Sequence, residues 1–181
     1  MDLNQISFFH AVSKIEESLN RRTVVMQKGY SFNDEIKNRL DRVLDKESNQ
    51  KETASAFAIR LLPERGFSHQ NGKPNYEKFY NYAWINPDVW NDFSKNRRKS
   101  SEDTLLKIVM ALKMTESEAR TFLSLAGLSF APSNPIHELL LICIQLRYYD
   151  PSLVCEILDF YISAKPEKFK GYHNIYAGFV K

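Results

Sequence analysis

The chain has 181 residues, of which 43% are hydrophobic, 26% charged and 13% aromatic, with a formal net charge of +3. That balance excludes a disordered or fibrous chain, and it falls well short of the basicity of a dedicated histone-like protein. Six Gly and seven Pro are too few for a repetitive linker protein or a sheet-rich fold with many tight turns, and the length suits one domain, or a domain plus an appendage.

The N-terminal stretch opens with Leu3, Ile6, Phe9, Val12, Ile15 and Leu19 at three- and four-residue steps, the stripe of an amphipathic helix. Met1–Gln5 carries no basic leader ahead of an apolar core, which predicts a cytoplasmic protein without a signal peptide. Thr23–Met26 is a short β-branched run closed by Gly29, either an extended connector or an isolated strand. Ser31 caps a second expected helix, with Phe32, Ile36, Leu40, Val43 and Leu44 on one side. Residues 1–48 thus read as an N-terminal helical pair, and the polar run Asp45–Glu52 as the boundary after it.

A third helix is expected over Thr53–Leu62, ended by Pro63 and Gly66, then a polar loop over Phe67–Pro74. Tyr76–Ala83 follows as a short helix with Phe79 and Ala83 inward, and a tight turn falls at Trp84-Ile85-Asn86. The next helix starts near Pro87, a residue suited to a first helical turn, with Val89, Trp90 and Phe93 inward. After the basic run Lys95-Asn96-Arg97-Arg98-Lys99, Ser100-Ser101-Glu102-Asp103 caps a helix whose inner face is Leu105, Ile108, Val109 and Leu112. Thr115-Glu116-Ser117-Glu118 is a capping box that opens a helix carrying Ala119, Phe122 and Leu123.

From Ser133 two further apolar helices are split by Asp150-Pro151, and a basic, aromatic tail runs from Pro166 to Lys181. The longest apolar run, Leu139–Ile144, is six residues, against the roughly twenty that a membrane span needs. Cys143 and Cys155 form no C-x-x-C pair and are expected to be free, buried thiols in a reducing compartment. The expected fold is all-α and multi-helix, with about eight helices in three units, 1–48, 52–130 and 133–181.

The stretch from Ile85 to Thr115 resembles the Cro/repressor class of helix-turn-helix proteins. In that pattern a Ser-capped helix of the form S-x-x-T-L-x-K-I-x-x-A-L ends the unit, and Ser101, Thr104, Leu105, Lys107, Ile108, Ala111 and Leu112 occupy those places. Phe122–Pro135, with its Ala-Gly turn, is similar to a degenerate variant of the class, so the likeness covers about residues 75–128. It implies a non-enzymatic regulator without a cofactor that lays its second helix in the major groove of duplex DNA, as a possible homodimer. On the resemblance, Asn86, Asn91 and Lys95 would face bases, and Lys95, Arg97, Arg98, Lys99 and Ser101 would face phosphates, flanked by Lys73, Tyr76 and Lys78. Asp88 and Asp92 lie on the same outward face and oppose a polyanion. Trp84 stands near the place where such turns usually carry Gly, which implies an altered or differently packed turn.

The alternative is a bacterial or phage-encoded inhibitor or adaptor that keeps the module as a protein-binding scaffold. Catalysis has little support: no G-x-G-x-x-G, Walker A, G-x-S-x-G or H-E-x-x-H motif occurs. His10, His69, His137 and His173 are scattered, and His137 beside Glu138 reads as capping or surface chemistry. Tyr76, Phe79, Tyr80, Tyr82, Trp84, Trp90 and Phe93 put seven large rings into eighteen residues, more than two short helices can hide; some are expected to pack on the N-terminal helices or a partner. The tail's rings are expected to form either a docked satellite core or a dimer seam.

Overall fold

The structure, a computed structural model, describes residues 10–18 and 52–178. The stripe residues Leu3, Ile6, Phe9 and Leu19, the run Thr23–Met26 and the helix expected after Ser31 lie outside the described residues. Every regular element among the described residues is helical: α1 (residues 10–18), α2 (Ala54–Glu64), α3 (Tyr76–Tyr82), α4 (Pro87–Ser94), α5 (Glu102–Ala111), α6 (Glu116–Leu125), α7 (Pro135–Leu146) and α8 (Pro151–Ala164). None is long and apolar enough to cross a membrane.

Local chemistry explains where the helices begin. From α2 onward each opens on Thr, Asn, Ser or Asp, namely Thr53, Asn75, Asn86, Ser101, Thr115, Asn134 and Asp150. In each case the side chain accepts a hydrogen bond from a backbone N–H of the first turn. Thr115 and Glu118 complete the expected capping box, each side chain bonded to the other's backbone. Pro87, Pro135 and Pro151 sit in first turns, where a missing N–H costs nothing. Pro63 does not end α2, which runs on to Glu64. A proline in the last turn forfeits one backbone bond without stopping the helix. The stop is Gly66, at φ +83°, beyond which the Phe67 N–H bonds back to the Leu62 carbonyl at 2.9 Å.

The helices share one apolar core that draws residues from α1 through the tail. α2 packs on α4 and α6, α3 on α4, α5 on α6, α6 on α7, and α7 on α8. A chain of rings links the middle elements: Phe67 to Phe79 at 5.2 Å, Phe79 to Trp90 at 4.6 Å, Trp90 to Phe93 at 5.4 Å, and Phe93 and Phe57 each to Phe122 at 6.2 Å. Of the crowded rings of residues 76–93, Phe79, Trp90 and Phe93 are buried, Tyr80, Tyr82 and Trp84 are half-buried against the core, and Tyr76 stays exposed.

α1 lies on α8. Ala11, Val12 and Ile15 are buried, and the Tyr161 hydroxyl donates to the Val12 carbonyl at 3.4 Å. Burial, with Glu16 nearby, pushes the Tyr161 phenol up to about 12. The tail docks: Phe169, Ile175 and Tyr176 are buried in the common core. Asn174 ties it down, donating to the Cys155 carbonyl at 3.0 Å and to Asp159 at 2.8 Å. Cys143 and Cys155 are both free; Cys143 is buried, and Cys155 only half-buried.

His137 is not at the surface; its residue is 2% exposed. α7 starts at Pro135, so the third residue of its first turn falls inward against Phe130, 5.7 Å away. Its Nδ1 accepts from the Ala131 N–H at 2.9 Å, which places the ring proton on Nε2, 3.1 Å from a Glu102 carboxylate oxygen. Burial holds the imidazole below its ordinary pKa, and Glu102 only partly opposes that shift.

Phe122→Ala is expected to cost about 3–5 kcal/mol in urea unfolding, because Phe122 joins the rings of α2 and α4. Because the folded pKa of His137 lies below the unfolded value, the unfolded chain takes the proton first as pH falls. Its contribution to stability is whole above about 6.5 and declines below that pH. His137→Asn keeps an acceptor for Ala131 but cannot titrate, so its unfolding free energy should fall less steeply from pH 7 to 5. An unchanged slope would show that His137 is not held neutral.

Candidate nucleic-acid interface

The surface begins at the link between α3 and α4. The Ala83 N–H bonds to the Phe79 carbonyl at 2.8 Å, the Ile85 N–H bonds to that of Tyr80 at 2.9 Å, and Trp84 between them has φ +54°. The turn thus takes the left-handed conformation that favours glycine, with a tryptophan in it, at a cost of about 1–2 kcal/mol. The surroundings hold it. The Trp84 ring meets Tyr176 edge-on at 5.6 Å. Its carbonyl accepts from the Lys107 ammonium at 3.3 Å, and that ammonium lies 5.5 Å from the Tyr176 ring. Lys107 is itself buried, and burial lowers its pKa against the opposing pull of Asp103.

From this turn α4 runs with Trp90 and Phe93 in the core and Asn86, Pro87, Asp88 and Val89 in solvent. Val89, expected inward, is 40% exposed. It belongs to the first turn of α4, which is exposed throughout from Asn86 to Val89, whereas the helix is buried only at Trp90 and Phe93. Asn86 caps the helix through Oδ1, which accepts the Asp88 N–H at 2.8 Å. Asn91 is half-buried at mid-helix, and Lys95 is exposed as the C-cap.

The basic stretch is anchored at one point. Asn96, at φ +52°, accepts from the Ser55 hydroxyl at 2.9 Å through Oδ1, and the Arg97 N–H bonds to the Asp92 carbonyl at 2.9 Å. Lys95, Arg97, Arg98 and Lys99 on either side are all exposed. Ser101 is the cap of α5, accepting the Thr104 N–H at 3.3 Å. Asp92 lies 3.9 Å from the Arg98 guanidinium, which is 81% exposed, a pairing worth about 0–1 kcal/mol. Asp88 is exposed in the first turn, over the positive end of the α4 dipole. Near the start of α3, Lys73 and Tyr76 are exposed, and Lys78 donates to the Gly66 carbonyl at 2.8 Å.

The structure therefore puts Asn86, Asn91 and Lys95 along one short helix and Arg97, Arg98 and Lys99 just past its C-terminus. Local periodicity could not have revealed three features: the Ser55 anchor, the Lys107 bond to the turn and the Tyr176 brace. Each joins residues far apart in sequence. No family model, curated protein or solved structure matches the chain.

The left-handed backbone at Trp84 can be tested directly. Trp84→Gly and Trp84→Ala both lose the ring, but only glycine takes a positive φ freely. Trp84→Gly should therefore be the more stable variant by about 1 kcal/mol, the reverse of the usual helix ranking of the two residues. Equal stabilities, or alanine ahead, would refute that backbone.

Proposed function

We propose that this protein is a non-enzymatic regulator that binds duplex DNA, with α3, the Trp84 turn and α4 as a helix-turn-helix and α4 as the recognition helix. The observation that carries the reading is the open first turn of α4, Asn86–Val89, on a helix followed by four exposed cations. The sequence resemblance and the left-handed turn support it. The order of packing, α2 against α4 and α6 with α3 on α4, suits such a module.

The hydrogen bonds divide the work among the candidate residues. Reading adenine takes both halves of a carboxamide. Asn86 is held as the helix cap by accepting the Asp88 N–H, which leaves its carboxamide less free to turn both halves toward a base. Asn91, whose carboxamide makes no hydrogen bond among the described residues, is the better base reader. Asn86 and Lys95 flank an eight-residue helix, roughly 12 Å long at 1.5 Å per residue, so they would meet different base pairs. Lys95, Arg97, Arg98 and Lys99 supply phosphate contacts, and Ser101 could join them at the start of α5.

A second reading, a protein-binding adaptor, draws on the exposure of Val89 and Tyr76, each 40%, beside Asp88. An apolar and acidic rim suits a protein better than a phosphate backbone.

The DNA reading predicts a mobility shift with duplex at low salt that weakens steeply as salt rises. Arg97→Ala with Arg98→Ala should lower the slope of log affinity against log salt by about two. No complex at micromolar protein, or a stoichiometric protein complex that survives nuclease and is lost on Val89→Asp, would favour the adaptor instead.

A further inference from the structure

An open cleft of about 630 Å³ lies where the ends of α2 and α3 meet the α5–α6 and α7–α8 links. That volume falls in the range of small-molecule sites, roughly 300–1,000 Å³. Three of its lining residues are cations, Arg65, Lys113 and Arg147, and one is an acid, Asp150. Arg65 is engaged, bonding to Glu118 at 2.7 Å. Asp150 is turned to the start of α8, where it accepts the Ser152 and Leu153 N–H groups at 3.0 and 3.1 Å. Lys113 and Arg147 have no ion-pair partner among the described residues.

Both of these cations occupy unusual backbone. Among the described residues four that are not glycine have positive φ. Two of them are Lys113 at +49° and Arg147 at +60°, each just past the end of a helix. Glycine would hold either place more cheaply. Both close a helix C-terminus: the Met114 N–H bonds back to the Val109 carbonyl at 3.2 Å and the Tyr148 N–H to the Cys143 carbonyl at 2.8 Å, which fixes where the two side chains leave the backbone. The wall between them is phenolic: Tyr82 lines the cleft, and so does Tyr149, whose hydroxyl donates to the Met114 carbonyl at 2.8 Å.

We infer that this cleft binds a phosphorylated small molecule of about nucleotide size, its phosphate oxygens held by Lys113 and Arg147. Two cations lining one cleft, without an acceptor among the described residues, match the several oxygens of a phosphate better than a single carboxylate. The inference is independent of the DNA reading, since none of these residues belongs to α4 or its basic loop.

The test uses the backbone geometry to separate binding from folding. Lys113→Gly with Arg147→Gly removes both charges while placing glycine where φ is positive, so the fold should not be weakened. Titration calorimetry of the full chain with inorganic pyrophosphate and with adenosine diphosphate is expected to show binding. The affinity should fall at least about tenfold in the double variant, with a melting temperature no lower than that of the parent. No binding of either probe at millimolar concentration overturns the inference, as does equal binding by parent and variant. A matching loss of duplex affinity in the variant would assign the cleft to the DNA surface and overturn it as well.

Discussion

The backbone at Trp84 sets the direction in which α4 leaves α3, and the exposed surface follows from that direction. A left-handed tryptophan is uphill by itself. It persists because a ring, a cation and a carbonyl close around it, contributed by Trp84, Tyr176 and Lys107. The ring chain through Phe79, Trp90, Phe93 and Phe122 then fixes the inner face of α4. With one face pinned and the entry angle set, the first turn of α4 has no remaining way to be buried by its own neighbours. Shape at this surface is thus dictated by aromatic packing, and only its electrostatics are left to the polar residues.

Those electrostatics are divided along the helix. Asp88 sits near the N-terminus, and the basic run starts at the C-cap, roughly 10 Å further on by helix rise. At physiological ionic strength the screening length is about 8 Å, so the run does not cancel Asp88 in place. Asp92, by contrast, is close to Arg98 and is at least partly neutralised. A polyanion approaching this face would meet attraction from one end and the Asp88 carboxylate at the other. Its strongest contact would therefore be one-sided, beside the Lys95–Lys99 stretch.

Much of the helical order was legible in the sequence because helix starts are written locally. Ser101 and Thr115 carry the expected cap signals and are caps; Asn75, Asn86 and Asn134 cap their helices as well, though none of them is expected as a cap from the sequence. Errors arose where a local cue met a wider constraint. Pro63 is a strong breaker in a helix interior and a weak one in a last turn. Val89 looked inward because it is apolar, yet it stands in the first turn of α4, which is exposed from Asn86 to Val89. His137 looked like surface chemistry because it is polar and adjoins Glu138, and only the approach of Glu102 and Phe130 shows it buried. For the candidate interface the residues could be named from the sequence, but their availability could not. That Asn96 is tied to Ser55, forty-one residues earlier, is a fact of tertiary packing.

α5 is where the regions of the chain meet. Its first-turn acids receive a histidine each from later elements, Glu102 from His137 in α7 at 3.1 Å and Asp103 from His173 in the tail at 2.8 Å. One and a half turns on, Lys107 reaches back to the Trp84 carbonyl. The same short helix therefore contacts the turn that aims α4, the start of α7 and the segment that carries Tyr176. Residues 75–128, the part with a recognisable pattern, leave Trp84 without its ring partner and α5 without its two histidines. The physical unit is larger than the pattern: the tail is part of what holds the α3–α4 turn in shape, and the exposed face of α4 depends on residues nearly a hundred positions away.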